Sequence, residues 1–287
     1  MKRLAFILVL TLSALTLMGL WLSRPNYSSV DLNMSDTGDP EQGRYIYIAS
    51  GCASCHIKKT SSIKFTLAGG QNFVTDFGVF YAPNISMSKE HGIGNWSLDD
   101  FSNAVRQGIN PQGQHYFPAF PYVAYSKMTD QDLIDLWAFW QTLPINELPS
   151  QAHEIPWPFS MRQTLGLWKR LFSERDYRFA ENTRGAYLVE ALGHCGECHT
   201  ARNRLGGLNN KAWLKGAPTQ DGRGKVPSLA PFDLGWTEDD IVYYLETGFT
   251  PEYDVVGGHM AAVIENTSQL TLEDRREIAR YLLALPQ

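Results

Sequence analysis

The sequence predicts an all-α protein: two tandem halves built on one helical plan, behind a single N-terminal apolar helix. Three observations carry that expectation. Residues 4–22 form an uncharged, mostly apolar run flanked by Lys2, Arg3 and Arg24. The pentapeptide Cys-x-x-Cys-His occurs twice, as Cys52-Ala53-Ser54-Cys55-His56 and as Cys195-Gly196-Glu197-Cys198-His199. Around each copy the same helical landmarks recur in the same order. These features divide the 287 residues into a transmembrane anchor or signal peptide (4–22), a tether (23–39), a first domain (40–145), an aromatic-rich connection (146–180) and a second domain (181–287).

At about 1.5 Å per residue, the run 4–22 reaches about 28 Å, close to the ~30 Å hydrocarbon core of a bilayer. A cleaved signal peptide would carry a shorter apolar stretch of about 7–15 residues and a small-x-small site, and no Ala-x-Ala follows here. The expectation is therefore a retained single-pass anchor in a bacterial inner membrane. Lys2 and Arg3 put its N-terminus in the cytoplasm and the rest of the chain in the periplasm. Residues 26–39 are polar and read as part of the tether.

Cys-x-x-Cys-His attaches c-type haem covalently. On a short helix, residues three apart share a face, so Cys52 with Cys55, and Cys195 with Cys198, can reach one porphyrin edge. The adjacent His56 or His199 then turns its imidazole to the iron as the proximal ligand. The two motifs use all 4 cysteines of the chain. A zinc site of four cysteines would need its two knuckles close in sequence, and a thiol-redox motif gives no reason for a His after the second Cys. Two covalently bound haem c groups, with their iron, are the expected cofactors. A net charge of −5 with 19% charged residues gives no sign of a nucleic-acid partner.

The repeat extends well beyond the motifs. Gly43-Arg44-Tyr45 precedes the first and Gly185-Ala186-Tyr187 the second. Trp96-Ser97-Leu98-Asp99-Asp100 matches Trp236-Thr237-Glu238-Asp239-Asp240, and Ser97 and Thr237 read as helix N-caps with an acidic residue at N3. Gly108 and Gly248 read as the C-terminal stops of these helices. Thr129 and Thr271 open a last helix in each half. Apolar residues recur along these helices at helical spacing, and each ends in Leu-Pro, at Leu143-Pro144 and Leu285-Pro286.

This order resembles class I cytochrome c in both halves, over about 40–145 and 180–287. Asn84-Ile85-Ser86, Gly92-Ile93-Gly94-Asn95-Trp96-Ser97 and Phe117-Pro118-Ala119-Phe120-Pro121-Tyr122 resemble more closely the cytochrome c subunits of membrane-bound bacterial dehydrogenases. Those subunits commonly carry three haems, and this chain has motifs for two. The resemblance implies electron transfer from a partner dehydrogenase toward quinone or a terminal oxidase of the respiratory chain. It also implies a methionine as the usual distal ligand, a choice that raises the reduction potential. In the second half Met260, after Gly257-Gly258-His259, is the expected ligand, with His259 as the alternative. The first half departs from the family pattern, because Phe120 stands where the ligand Met is found. Met128 is the expected substitute and His115 the alternative; an open iron is the third outcome. Met87 precedes the middle helix and is a poorer candidate. Pro83-Asn84-Ile85 resembles the loop that lies against the proximal side in related cytochromes, which implies that a backbone carbonyl there, or near Pro227 in the second half, accepts the proximal histidine Nδ1–H.

Other residues carry weaker expectations. Tyr81, Trp96, Tyr116, Tyr122, Trp213, Trp236 and Tyr243 are haem-pocket candidates or simply core. Arg202 and Arg204 could meet propionates or solvent. The segment Met161–Phe172 spaces apolar groups helically with basic residues between, which suits a membrane-surface helix, a docking helix or an ordered linker. The leading function is electron carriage with no catalytic residue of its own. A dihaem redox enzyme, such as a peroxidase or sulfur-compound oxidase with an open iron, is the alternative. A haem sensor lacks a segment left over for signalling.

Overall fold

The computed structural model of the chain describes residues 2–30, 38–57, 66–179, 183–219, 222 and 224–286. Helix α1 (Lys2–Leu22) carries no buried residue and is long and apolar enough to cross a membrane. Its Thr11 and Thr16 hydroxyls donate back to the Ile7 and Leu12 carbonyls at 2.9 and 2.8 Å, so both are satisfied inside the helix. Part of the expected tether, 31–37, lies outside the described residues. The part before it is not free chain: Ser28 N–H donates to Asn103 Oδ1 at 2.9 Å and Val30 N–H to Asp99 Oδ1 at 3.2 Å.

The first half begins at α2 (Pro40–Ala49), capped by the Asp39 side chain with Pro40 in the first turn. Next come α3 (Cys52–His56), the hairpin β1 (Asn72–Thr75) and β2 (Gly78–Tyr81), and α4 (Leu98–Ser102). A π-helical turn, Asn103–Gln107, continues α4 and ends at Gly108 with φ of +60°. Helices α5 (Tyr122–Tyr125) and α6 (Asp130–Trp140) close this half. Gly43 lets α2 cross α6 tightly, since a Cβ there would stand 1.9 Å from the Asp135 carbonyl oxygen.

After α7 (Leu165–Phe172), the second half repeats the plan. α8 (Arg184–Ala186) runs into a π-helical turn, Tyr187–Leu192, and then comes α9 (Gly196–His199). The two-residue strands β3 (Ala217–Pro218) and β4 (Lys225–Val226) pair antiparallel, followed by α10 (Pro231–Leu234) and α11 (Glu238–Thr247). Helices α12 (Met260–Thr267) and α13 (Leu272–Leu283) complete it. Gly185 makes the corresponding close crossing, its Cβ position 2.3 Å from the Glu277 carbonyl oxygen.

The helices and caps follow the sequence expectation, including capping boxes at Ser97/Asp100 and Thr237/Asp240. The all-α expectation misses the two hairpins. β1 alternates half-buried Phe73 with exposed Val74, and its turn into β2 is held by the Thr75 hydroxyl, which donates to the Gly78 carbonyl at 2.9 Å.

One contiguous apolar core draws on both halves, with Leu133, Leu136 and Trp140 from the first and Val189, Leu192 and Ile278 from the second. At its rim the halves exchange equivalent tyrosines. Tyr45 OH donates to Asp274 Oδ2 at 2.5 Å and accepts from the Thr271 N–H at 3.2 Å. Tyr187 OH donates to Asp132 and accepts from the Thr129 N–H at 3.3 Å. Each half's Gly-x-Tyr therefore caps the last helix of the other, a two-fold arrangement made within one chain. Residues 146–154 run along the first half, where the Asn84 side-chain amide donates to the Asn146 and Leu148 carbonyls at 2.7 Å each. Farther on, the Arg178 and Phe179 N–H groups donate to buried Glu190 at 2.7 and 3.2 Å. The connection is thus bonded to both halves.

Candidate haem-binding sites

Each Cys-x-x-Cys-His motif forms a single short helix entered through a positive φ. Gly51 supplies it at +63° for the first motif, and His194 adopts +39° for the second. That conformation is cheap for glycine and costs a side-chain-bearing residue about 1–2 kcal/mol. His194 is held there by packing, its ring 5.4 Å from that of Tyr125.

Beyond each motif the chain returns beneath the histidine by the same route. Gly69 N–H donates to the His56 carbonyl and Gly216 N–H to the His199 carbonyl, both at 2.8 Å. Ile85 N–H then donates to the Leu67 carbonyl at 3.0 Å and Leu229 N–H to the Leu214 carbonyl at 2.8 Å. Both glycines have positive φ, +71° and +85°, and lie against the proline segment that follows. His56 Nδ1 consequently lies 2.9 Å from the Pro83 carbonyl oxygen, and His199 Nδ1 lies 2.9 Å from that of Pro227. A carbonyl only accepts, so Nδ1 carries the proton and the neutral ring presents the lone pair of Nε2. Burial pulls His56 down to about 4, against the opposing pull of the Pro83 carbonyl. His199 is lowered for the same reasons. Both rings are neutral near pH 7, in the tautomer an iron requires.

The thiols fit haem attachment better than thiol redox chemistry. All four cysteines are unpaired. Burial pushes the Cys52 and Cys195 thiols up to about 12 and Cys55 up to about 11, the opposite of a reactive, thiolate-forming motif. Among the described residues, no group of three or more His, Cys, Asp or Glu side chains is placed to hold a metal ion. The residues present therefore fit haem: two free thiols three positions apart at each short helix, and a neutral imidazole whose Nδ1 is held by a backbone carbonyl.

The two motifs are neighbours. Cys198 adds to the rise of the Cys55 thiol, after burial, and Tyr125 feels Cys52, Cys55 and Glu197 together. The Tyr125 hydroxyl donates to the Ser50 carbonyl at 2.6 Å while its ring edge meets His194, so this one side chain bridges both motif entries. Asn266 of α12 also reaches Ser54 inside the first motif, Nδ2 to Oγ at 2.9 Å. Sequence reasoning missed Tyr125, His194 and Asn266, because nothing local marks them.

The candidate sixth ligands separate by register. Tyr116 N–H donates to the Gly108 carbonyl at 2.7 Å, and Val256 N–H to the Gly248 carbonyl at 2.9 Å, so the two loops align. Four residues on stand Phe120 and Met260, in equivalent places. Met260 opens α12, half-buried against the core, and the neighbouring His259 ring stacks on Phe73 at 6.5 Å. Met128 precedes the Thr129 cap as Leu270 precedes the Thr271 cap, and both are buried in the core. The His115 ring turns to the end of α1, with Nε2 2.8 Å from the Ser23 carbonyl oxygen; Nδ1 is buried without a hydrogen-bond partner. Among the other candidates, Trp213 packs on Gly196 of the second motif and donates to Tyr281 at 3.1 Å. Tyr81 donates outward to Glu154 at 2.9 Å, and Arg202 is engaged by Glu197.

Two Cys-x-x-Cys-His helices set among helices that recur in the same order have the makings of a dihaem c-type cytochrome. The chain is 46% identical over 275 residues to a dihaem c-type cytochrome of Cereibacter sphaeroides, covering 93% of each protein. It belongs to that family, and it carries two covalently bound haem c groups. It is 40% identical over 257 residues to the cytochrome subunit of fructose dehydrogenase from Gluconobacter japonicus, covering 85% of this chain and 52% of that protein. The cytochrome c subunit of the quinone-dependent alcohol dehydrogenase of Gluconobacter oxydans is 35% identical over 265 residues, covering 86% and 54%. The chain spans about half the length of these dehydrogenase subunits. No protein-family profile matches the sequence. The electron-transfer role expected of a dihaem cytochrome follows from this kinship.

Proposed function

We propose that the chain is a membrane-anchored electron carrier, tethered by α1, that relays electrons between a dehydrogenase or other donor and the respiratory chain. Its two halves act as tandem cytochrome c domains, 40–145 and 181–287, on the periplasmic side of the inner membrane. The observation that carries the reading is the side-by-side placement of the two motifs, bridged by Tyr125 and His194. When bound, each haem supplies an iron that cycles between Fe(III) and Fe(II). Cys52 and Cys55, and Cys195 and Cys198, would hold the two haems, and His56 and His199 would each offer Nε2 to an iron. The Pro83 and Pro227 carbonyls fix those imidazoles and raise their basicity. Met260 would offer its sulfur to the second iron. Met128, buried in the core beside the Thr129 cap, would offer its sulfur to the first, since the His115 ring is drawn toward Ser23. The cytochrome subunits of the fructose and alcohol dehydrogenases motivate a dehydrogenase donor.

Phe120 in the place equivalent to Met260 supports a second reading, an enzyme with an open first iron. Optical and EPR spectra of the purified full-length protein, with Met128→Ala and His115→Ala variants, decide between them. The carrier reading expects two low-spin irons and a change at the first iron only in Met128→Ala. A high-spin first iron that binds cyanide readily and turns over peroxide overturns it. A change in His115→Ala alone overturns the Met128 assignment.

A further inference from the structure

The connection between the halves exposes an apolar face that electron carriage leaves unused, and α1 ends on it. The Ser23 hydroxyl donates to the Gln163 carbonyl, and Arg170 Nε donates to the Leu22 carbonyl at 2.5 Å. Gly166 lies so close that a Cβ there would stand 2.3 Å from the Ser23 carbonyl oxygen. Farther along α1, Leu167 Cδ1 lies 4.0 Å from where a Gly19 Cβ would stand. Gly19 is about 4.5 Å inside the end of the apolar run, at about 1.5 Å per residue. One side of α7 therefore stands level with the last turn of a helix built to span lipid.

The residues around this junction are apolar and outward-facing. Trp157 is 78% exposed, Phe159 47% and Leu171 72%. Ser160, Arg162 and Gln163 share a cleft with Leu20, Arg24 and Pro25, which brings the Trp157–Met161 bend to the same level. Arg24 and Arg170 are exposed beside it. Exposed aromatic and aliphatic groups rimmed by arginine mark an interaction surface.

We propose that Trp157, Phe159, Met161 and Leu171, with Arg24 and Arg170, form an interfacial surface that lies in the headgroup region of the bilayer crossed by α1. The proposal rests on the reading of α1 as a retained anchor. Its occupant is a lipid surface because α1 sets the level: a side chain of α7 already touches α1 within the span. Tryptophan suits the boundary between chains and headgroups, and arginine suits anionic headgroups. Such a surface holds both haem-bearing halves at one height and tilt above the membrane instead of letting them swing on a leash.

The test uses full-length holoprotein in vesicles of phosphatidylethanolamine and phosphatidylglycerol. A nitroxide is placed singly at Leu10→Cys, Trp157→Cys, Leu171→Cys and Tyr253→Cys; the native cysteines are consumed by haem. Collision with oxygen relative to a water-soluble nickel chelate reads depth. The expected result is a deep signal at position 10, shallow bilayer signals at 157 and 171, each several-fold above 253 in oxygen-to-nickel ratio, and an aqueous signal at 253. A deep signal at 10 with aqueous signals at 157 and 171 overturns the docking surface alone. Aqueous signals at all four positions overturn the anchor and the surface with it.

Discussion

Replacing Gly69 by alanine should raise the reduction potential of the first haem while leaving the second in place. A Cβ at Gly69 would stand 2.3 Å from the Ala82 carbonyl oxygen and 2.4 Å from the Pro83 carbonyl carbon. Ordinary carbon–oxygen contacts begin at about 3.3 Å, so the Ala82–Pro83 segment must retreat by about 1 Å. His56 lies on the Gly69 side, bonded through its carbonyl to the Gly69 N–H at 2.8 Å. The retreat therefore stretches the 2.9 Å contact between His56 Nδ1 and the Pro83 carbonyl oxygen beyond hydrogen-bonding range. With His56 as the ligand proposed above, that bond would feed electron density to the iron and favour Fe(III). A net hydrogen bond of about 1–1.5 kcal/mol corresponds to about 60 mV for one electron, and since only the part that differs between Fe(III) and Fe(II) counts, the potential should rise by up to about that amount. Alanine at φ of +71° adds about 1–2 kcal/mol of destabilisation. Optical potentiometry of the folded variant reads the shift. Gly216→Ala is the mirror experiment and should move only the second haem, by less, because its Cβ meets the Val226 oxygen at a milder 2.9 Å. An unchanged or lowered first potential in a folded Gly69→Ala protein would refute the reasoning. So would equal shifts at both haems.

Other consequences are measurable by denaturation and pH. Tyr45→Phe and Tyr187→Phe each remove one half of the tyrosine exchange between the last helices. Each should cost about 1–2 kcal/mol in chemical denaturation, and a null effect of both would show the exchange to be incidental. Burial alone would raise the Asp274 carboxyl, but hydrogen bonds from Arg184 and Tyr45 outweigh it and hold the group below its ordinary 3.8. The Asp274 contribution is therefore full above about pH 4 and is lost as pH falls through the lowered folded value. Asp274→Asn should flatten that acid limb of the stability curve, and an unchanged limb would contradict the assignment. Gly51→Ala meets only ordinary contacts, the nearest at 3.4 Å, so its cost should be the positive-φ strain of about 1–2 kcal/mol. A larger loss in thermal unfolding would point to a clash that the geometry does not contain.

What the sequence made legible was what short-range chemistry encodes. Ser97, Thr237, Thr129 and Thr271 cap helices because a hydroxyl reaches an N–H three residues on, and Gly108 and Gly248 stop them because φ must turn positive. The carbonyl partners of the two histidines were expected from the resemblance of Pro83-Asn84-Ile85 to the proximal loop of related cytochromes, and from the position of Pro227 in the second half. The tyrosine exchange was not readable. Gly-x-Tyr and Thr-x-x-Asp each repeat visibly, but Tyr45 meets Asp274 from 229 positions away, and no local pattern says that the pairing crosses between halves. Tyr125 and His194 meet across the same boundary. The β1–β2 hairpin escaped because four-residue strands of mixed burial give little period-two signal. Two helices expected to run as α-helix instead widen into π-helical turns, at Asn103–Gln107 and Tyr187–Leu192, where no Gly or Pro announces the change.

Electron carriage by two adjacent haems is tested most directly by anaerobic titration of the purified full-length protein with a one-electron donor, followed by addition of hydrogen peroxide. The account predicts that the chain takes up two electrons, one per haem, in overlapping steps, and that the reduced protein consumes no more peroxide than its stored electrons allow. Uptake of one electron, or continuing peroxide turnover with donor present, would contradict it.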